Sequence, residues 1–498
     1  MPRNSFLHRN KVNMHPSEYI ADIKFSLPYF IPEITLLSLL VLLTVLGIVF
    51  KKQSVWLTPA VFFMGISYVF CTTYQQWGIS QPIWLYSGTL YLQSKTVYFK
   101  LLIAVCGVFT VVFREISVKK EKTLEFYLLI TSILFGANLL AMSYNFLVSF
   151  LALEIVSLSS YALVAMFNEK PAAEASVKYL IYGMMASGIM LYGISLLFGI
   201  TGSLNFNDII FTKQLINSSP VLVTVAFLMV FAGVLFKISA FPLHFWSPDV
   251  YQSSAVYTVA FFSTATKIAG FALLFNLLPT VWQYDFKCYV SWFRPELLLG
   301  LFAILSLLVG NFAALGQTSM KRMLAYSAIA HSGFILLPLT SFESQAYESA
   351  AYYMGAYIFI TFLAFFAISL VKTDEIASYK GLGLEKPFWG IAMIVAMVAL
   401  TGLPPTVGFI SKFYIFSSVW DSYSLEQEKI YLFLLVFGVL NAVVSLFYYL
   451  KPLYYMYLKP KDSDTEPPKI SVFQIIFLVV LSVLVVGLFI KPDLIKLY

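Results

Sequence analysis

Charge is scarce in this sequence. Of its 498 residues only 11% are Asp, Glu, Lys or Arg, while 60% are hydrophobic and the mean hydropathy is +0.82. A soluble domain of this length is far more polar, so composition alone points to a polytopic membrane protein. Cysteine is scarcer still: Cys71, Cys106 and Cys288 stand far apart with no CxxC, which supports neither an iron–sulfur cluster nor a disulfide framework. No nucleotide fingerprint is present, because Gly381 and Gly383 form a lone G-x-G in a loop, the pattern of a turn rather than a phosphate cradle. Asn217-Ser218-Ser219 matches a glycosylation sequon, a pattern short enough to arise by chance. The first 26 or so residues are polar and lack the apolar core of a signal peptide, and Met14 is a second candidate start beside Met1.

What the chain has is long apolar runs. About fourteen segments reach the length of about 20 residues needed to cross a bilayer core. They run roughly over 27–50, 56–74, 97–113, 123–143, 145–167, 174–201, 220–246, 250–280, 296–316, 320–340, 346–371, 388–420, 430–451 and 472–491. The net charge of +7 would suggest nucleic acid in a soluble protein, but here it reads through topology. With both termini on one side, the loops opposite hold about 16 basic residues, against Lys95, Lys100, Lys213, Lys287, Arg294 and Lys429 on the terminal side. The positive-inside rule then places both termini outside, although the termini themselves add Arg3, Arg9, Lys11, Lys24, Lys491 and Lys496 to the poorer side.

Four lysines, Lys178, Lys237, Lys267 and Lys412, and one glutamate, Glu154, interrupt these runs. Each charge at a helix centre costs about 2.5–3.5 kcal/mol, so together they oppose insertion by something on the order of 12–17 kcal/mol unless paired or hydrated. Such residues mark ion or proton pathways.

Two spans are broken. One reads Lys237-Ile-Ser239-Ala-Phe-Pro242-Leu-His244-Phe-Trp246, the other Thr401-Gly402-Leu-Pro404-Pro405-Thr406-Val-Gly408 leading to Lys412. Pro242, Pro404 and Pro405 free carbonyls that hydrocarbon cannot satisfy, so these stretches must be packed in protein or line a wet cavity. The breaks lie five spans apart, each near an embedded lysine, which fits two five-helix units. An odd number of helices per unit makes the second an inverted copy of the first, the architecture of ion-coupled transporters. The expected organisation is a polar tail over 1–26, a three-helix segment over 27–113, five-helix repeats over 123–280 and 296–451, and a last helix over 472–498.

Glu154 is expected to face Lys237 and set its proton affinity, since burial lowers a lysine pKa and a nearby carboxylate raises it. The competing reading is a buried pair that only orients helices. Lys267 follows Ser263, Thr264 and Thr266, hydroxyls that can hold water, and reads as a relay between the halves; a snorkelling lysine near a helix end is the rival. Lys412 reads as the carrier on the exit side of the second half, against local satisfaction of freed carbonyls. Lys178, His331 and His244 are candidate relay or gating residues, with an interfacial lysine and satisfied core histidines as the plainer alternatives. Asp249 and Glu174 read as solvated carboxylates at loop edges.

The stretches Lys237 to Tyr251, Ser263 to Lys267, Lys321-Arg322 to His331-Ser332-Gly333, and Gly402 to Lys412 resemble those of the antiporter-like membrane subunits of respiratory complex I, over nearly the whole chain. The resemblance implies proton carriage by Glu154, Lys237, Lys267 and Lys412. Lysine on the twelfth span fits the subunit N branch and disfavours the subunit M branch, where glutamate is usual; the lack of a long arm after the fourteenth span disfavours subunit L. Gln252-Ser253-Ser254-Ala255 departs from the Gly-Ala-Pro-like turn common in the family. The resemblance implies a translocase subunit of NADH:quinone oxidoreductase in a bacterial inner membrane. It also implies no cofactor on this chain, with NADH, FMN, iron–sulfur clusters and quinone handled by partner subunits. The partners implied are neighbouring antiporter-like and small helical subunits, the peripheral redox arm and membrane lipids, with no nucleic acid. A cation/proton antiporter subunit and a non-pumping scaffold are the alternatives.

Overall fold

The computed structural model describes residues 16–50, 54–79, 81–117, 123–166, 170–283, 295–461 and 470–497. Met1, Met14 and Cys288 lie outside the described residues. The described residues form a bundle of helices with one small hairpin. In chain order the first elements are α1 (Pro16–Ser26), α2 (Ile31–Val49), α3 (Ser54–Gln75), the antiparallel strands β1 (Ile83–Leu85) and β2 (Leu90–Leu92), and α4 (Ser94–Ser117). Then follow α5 (Thr123–Met142), α6 (Phe146–Ala165), α7 (Lys170–Thr201), the short α8 (Ile209–Ile216) and α9 (Pro220–Lys237). Next come α10 (Trp246–Ser253), α11 (Val256–Phe261), a π-helical turn over Phe262–Thr266 and α12 (Lys267–Gln283). The rest is α13 (Pro295–Leu315), α14 (Met320–Leu336), α15 (Ser344–Ser369), one-turn α16 (Leu382–Glu385), α17 (Pro387–Thr401), α18 (Val407–Glu426), α19 (Lys429–Leu458) and α20 (Val472–Ile490).

Thirteen helical stretches among the described residues are long and apolar enough to cross a membrane. The expected twelfth span is in two pieces, α17 and α18, so the count of about fourteen is met with one span divided. From Pro16 onward the tail is helical, as α1, with Tyr19, Ile20, Ile23 and Phe25 exposed in the isolated chain.

Three spans form the centre. The apolar stretch of Val256–Thr280 is wholly buried, and those of Met320–Thr340 and Ser344–Ser369 are 94% buried, against 28% for α19 and α20 at the edge. The centre is therefore where the lysine and histidine of these helices must find protein partners rather than lipid.

Local chemistry sets the helix ends. Glu33 lies in the first turn of α2 after Pro32, suited to the helix N-terminus. The Asn145 side chain caps α6 by accepting from the Leu147 and Val148 amides at 3.0 and 3.2 Å, and Ser319 caps α14 through the Arg322 amide at 3.1 Å. Each of these caps also sits in a short antiparallel bridge. Phe146 N donates to Leu204 O (2.9 Å) and Phe206 N to Tyr144 O (3.2 Å); Met320 N donates to Asp374 O (2.7 Å) and Ile376 N to Thr318 O (2.9 Å).

Both breaks are visible in the backbone. Helix α9 stops at Lys237, short of the 246 expected from the sequence, and Ser239 takes φ +55° before Pro242, whose ring supplies no amide hydrogen. Helix α17 ends on Gly402, at φ +85°, with Gly402 N and Leu403 N both donating to Val398 O. That is a Schellman-type end, which needs a left-handed residue free of a Cβ. The Phe241-Pro242 and Pro404-Pro405 bonds are cis.

Candidate proton-transfer site

Lys267 is the first residue of α12, directly after the π turn that Ser263, Thr264 and Thr266 help to form. Widened turns of this kind concentrate at functional sites. The lysine is buried, and its Nζ donates to Ala328 O at 2.6 Å and to Ser332 Oγ at 3.0 Å, both on α14. The Ser332 hydroxyl in turn donates to Ile238 O at 2.6 Å, a carbonyl at the end of α9. Thus the first break is bound to the second half through the partner of Lys267. A second tie is Phe241 N donating to Ser306 Oγ of α13 at 2.9 Å.

Lys237 is fully buried at the C-terminus of α9, where the helix dipole favours a cation. Its Nζ donates to Ser157 Oγ at 3.3 Å, and it makes no ion pair with Glu154. Glu154 lies three residues before Ser157 on α6, hence on the same face, and its Oε1 is buried without a partner. Lys237 thus bonds a hydroxyl on the helix that carries Glu154, and no hydrogen bond joins that hydroxyl to the carboxylate. Gly270, one turn beyond Lys267, lets α12 approach this lysine: a Cβ there would lie 3.4 Å from Lys237 Cβ and 2.7 Å from Ile238 Cγ2.

His331 neighbours Ser332 on α14. Its Nδ1 pairs with Tyr353 Oη at 2.5 Å and its Nε2 with Tyr449 Oη at 3.0 Å; Tyr449 also bonds the Ser327 hydroxyl. A small cavity of about 10 Å³ with apolar walls lies against Lys267, Thr264, His331, Ser332 and Tyr357. Lys412, on α18, folds back across Gly402 to reach the C-terminal carbonyls of α17, donating to Thr401 O at 2.5 Å and Leu400 O at 3.3 Å. Its ammonium also stands 4.8 Å from the Phe334 ring centroid on α14.

Two expected members lie apart from this row. Lys178 is not embedded: its side chain is 44% exposed and pairs with Glu174 at 2.8 Å and Asp249 at 3.1 Å, while the other Asp249 oxygen takes Arg322 at 2.8 Å. Glu174 is a solvated carboxylate as expected, 69% exposed and paired within α7, whereas Asp249 is corrected to the centre of an ionic cluster that joins α7, α10 and α14. Burial alone would raise the Asp249 carboxyl, but the hydrogen bonds from Lys178 and Arg322 hold it below its ordinary value. His244 is buried within the first break, flanked by the Phe241 and Phe245 rings with Nδ1 unpartnered, and it makes no hydrogen bond to a lysine of the row.

Sequence reading also missed one charged pair. Lys100, taken for a loop residue, lies in the second turn of α4, and its Nζ is 2.7 Å from Glu33 Oε1 with neither side chain exposed. A carboxylate following a proline at a helix start looks like a first-turn acid, so nothing local pointed to its partner.

Comparison with known proteins places this geometry. Residues 143–444 match the family model for the transmembrane region of NADH:quinone oxidoreductase and Mrp antiporters. The chain is 34% identical to an NADH-quinone oxidoreductase subunit N of Chloroherpeton thalassium, over 95% of this chain and 94% of that protein. It is also 34% identical to an NAD(P)H-quinone oxidoreductase subunit 2 of Gloeobacter violaceus, over 86% and 82% of the two chains. Among solved structures it is similar to a chain of respiratory complex I from Thermus thermophilus, with TM-score 0.77 and 30% identity over 93% of this chain and 98% of that one. A chain of the Mrp complex from a Dietzia species shares the fold, with TM-score 0.81 and 18% identity over 94% and 95%. With the match spanning more than half of its length, and with subunit N relatives aligned from end to end, this chain belongs to the NADH:quinone oxidoreductase/Mrp antiporter transmembrane family.

Proposed function

We propose that this chain is a proton-translocating subunit of the subunit N kind in the membrane arm of an NADH:quinone oxidoreductase. Energy released as partner subunits pass electrons from NADH to quinone drives protons through this chain. The observation that carries the reading is the placement of Lys267. Its ammonium is held by α14 beside His331, and through Ser332 it is tied to the end of broken α9.

In this reading Glu154 biases Lys237, Lys267 relays between the halves, His331 links Lys267 to the second half, and Lys412 serves its exit side. Lys178 and His244 stand outside the row, the first as an ionic clamp and the second as packing at the break. The energies suit such a device: opening a buried pair costs about 3–5 kcal/mol, while moving one charge against 100 mV takes about 2.3 kcal/mol.

The two five-helix units over 123–280 and 296–451 act as inverted copies. Support comes from the paired bridges, since Asn145 and Ser319 each cap the second helix of their unit and each bridge to the loop after the third. The flavin, clusters, nicotinamide and quinone belong to partner subunits. The positive-inside count puts both termini on the outer face of a bacterial inner membrane.

The test is Lys267→Met in membrane vesicles carrying the assembled complex. Proton accumulation during NADH oxidation is expected to fall about tenfold or more. Parent-level pumping would end the proposal. An exchanger subunit shares the fold, and co-purification with flavin and iron–sulfur subunits separates the two readings.

A further inference from the structure

The Glu33–Lys100 pair stands outside the row of charges just described. Both side chains are fully buried, which makes the pair costly: two charges withdrawn from water recover that penalty only with complete hydrogen bonding. The Lys100 ammonium lies 2.7 Å from Glu33 Oε1 and donates to Gln76 Oε1 at 3.2 Å and Met142 Sδ at 3.7 Å. Glu33 is less well satisfied, because both its oxygens are buried without a hydrogen-bond partner and only Oε1 has the ion pair. A buried carboxylate held by one ion pair alone is built to accept a proton.

The pair lies under the hairpin, at the end of the bundle where α2 begins and α3 finishes. Gln76 Nε2 donates to Tyr29 O at 2.9 Å. The hairpin is fastened just above: Tyr86 N donates to Ser26 Oγ at 3.0 Å, and Ser87 N to Asp22 Oδ2 at 2.6 Å. Burial and the charges of Glu33 and Asp22 together raise the Tyr86 phenol, so the field of Glu33 reaches the hairpin.

On the inner side a further polar group, Asn276, lies on the helix that Lys267 begins. Asn276 lies nine residues along α12 from that lysine, about 13 Å at the rise of a helix. Its Nδ2 donates to Ala141 O at 3.0 Å and Ser143 O at 3.2 Å, on either side of the Met142 that faces Lys100. One turn deeper than Met142 is Asn138, and one turn deeper than Gln76 is Thr73. Asn138 Oδ1 and Thr73 Oγ1 are buried without partners. Other charges near the pair are Asp22 under the hairpin and Lys95 at the start of α4; α3 has none, α5 has only Glu125 at its far end, α12 has only Lys267, and Glu348 of α15 is exposed.

We propose that Glu33 and Lys100 form a proton-release station on the face of the membrane that holds α1, the last protonatable step on a branch leading from Lys267 by way of Asn276. A proton arriving from the α12 side binds Glu33 Oε2 and turns the carboxylate into the acid, which loosens its hold on the Lys100 ammonium. The acid then gives that proton to water beneath the hairpin, and the regenerated carboxylate pairs with Lys100 again. One proton enters and one leaves, and Lys100 stays charged throughout. The inference rests on the proposed function above.

The test uses vesicles carrying the assembled complex, with the neutral double variant Glu33→Gln/Lys100→Met, which removes both charges and leaves none unpaired. Assembly at the parent level with proton accumulation about fivefold or more slower is expected. Parent-level pumping in the assembled double variant overturns the station and leaves the pair a helix tie. Glu33→Asp, which keeps the carboxylate, is expected to retain most of the rate; a loss as deep as that of Glu33→Gln overturns it too. Infrared difference spectra of the parent complex give an answer that no folding defect can mask. Turnover is expected to produce a protonated-carboxyl band, and its absence overturns the proposal. Lys267→Met in parallel separates the two readings. Slow pumping there with normal pumping in the double variant removes only the station, whereas normal pumping in both removes the proposed function as well.

Discussion

Lys267 and Ile238 are joined through one hydroxyl: Ser332 Oγ accepts from the Lys267 ammonium at 3.0 Å and donates to the Ile238 carbonyl at 2.6 Å. Ser332 thus spends its donor on the carbonyl at the first break and keeps its lone pairs for the lysine. Proton loss from Lys267 would weaken the first bond and leave the second in place. Ser332→Ala removes both bonds and strands a buried carbonyl and a buried ammonium donor. The expected cost is about 1–3 kcal/mol in stability, together with slower NADH-driven pumping. Thermal unfolding of the purified complex and proton uptake in vesicles measure the two effects, and parent-level values of both would show that the shared hydroxyl is incidental.

Gly402 and Lys412 make a second checkable pair. A Cβ on Gly402 would stand 2.6 Å from Lys412 Cδ, and the glycine holds φ +85°. Gly402→Ala therefore strains the end of α17 by roughly 1–2 kcal/mol and pushes the lysine off the Leu400 and Thr401 carbonyls. Lower thermal stability and a loss of pumping are expected together. Gly188→Ala on α7 is the control, because its Cβ would meet nothing within 4 Å. There the change should be neutral or stabilising, by up to about 1 kcal/mol. Equal effects of the two substitutions would mean that Gly402 has no special hold on Lys412.

The spans and breaks were legible because apolar length and proline act locally. A run of about 20 apolar residues or a Pro242 announces itself without reference to any other part of the chain. Where the lysines point was not legible, since Ser332, Ala328 and Tyr449 are unremarkable in their own runs and meet Lys267 or His331 only through packing of α12, α14, α15 and α19. The π turn before Lys267 leaves no trace in an apolar run that is buried on every side. Glu33 and Lys100 are 67 positions apart on spans that are not consecutive, so their pairing is a tertiary fact. Lys178 misled for the opposite reason: an apolar stretch follows it, yet it sits two turns into α7 and reaches outward to Glu174 and Asp249.

Glu154 and Lys237 share Ser157 as a near neighbour, which allows the roles of charge and hydroxyl to be separated. Glu154→Gln keeps the volume of the side chain and removes its charge. It is expected to cut pumping severely while the complex still assembles, because the Lys237–Ser157 bond at 3.3 Å does not involve the carboxylate. Ser157→Ala is expected to be milder in pumping and to lower stability by about 1 kcal/mol. Proton transfer at the parent level in Glu154→Gln would remove the carboxylate from the pathway.

The ionic cluster of Lys178, Asp249 and Arg322 predicts a dependence on pH whose sign follows from Asp249. Its carboxyl is held below the ordinary value by its two cationic partners, so the folded state favours the charged form. The resulting stabilisation is fully present above the unfolded carboxyl value of about 3.9 and is lost as pH falls through the lower folded value. Protonation of Asp249 at acid pH releases both Lys178 and Arg322 from it, loosening α10 from α7 and α14. Thermal unfolding of the complex between about pH 4 and pH 2 should therefore show a decline that is smaller in Asp249→Asn, the variant itself being less stable at neutral pH. Salt should weaken the effect, since the side chains are 30–44% exposed and screening reaches them. Identical acid profiles for the parent and Asp249→Asn would show that the cluster does not couple these helices.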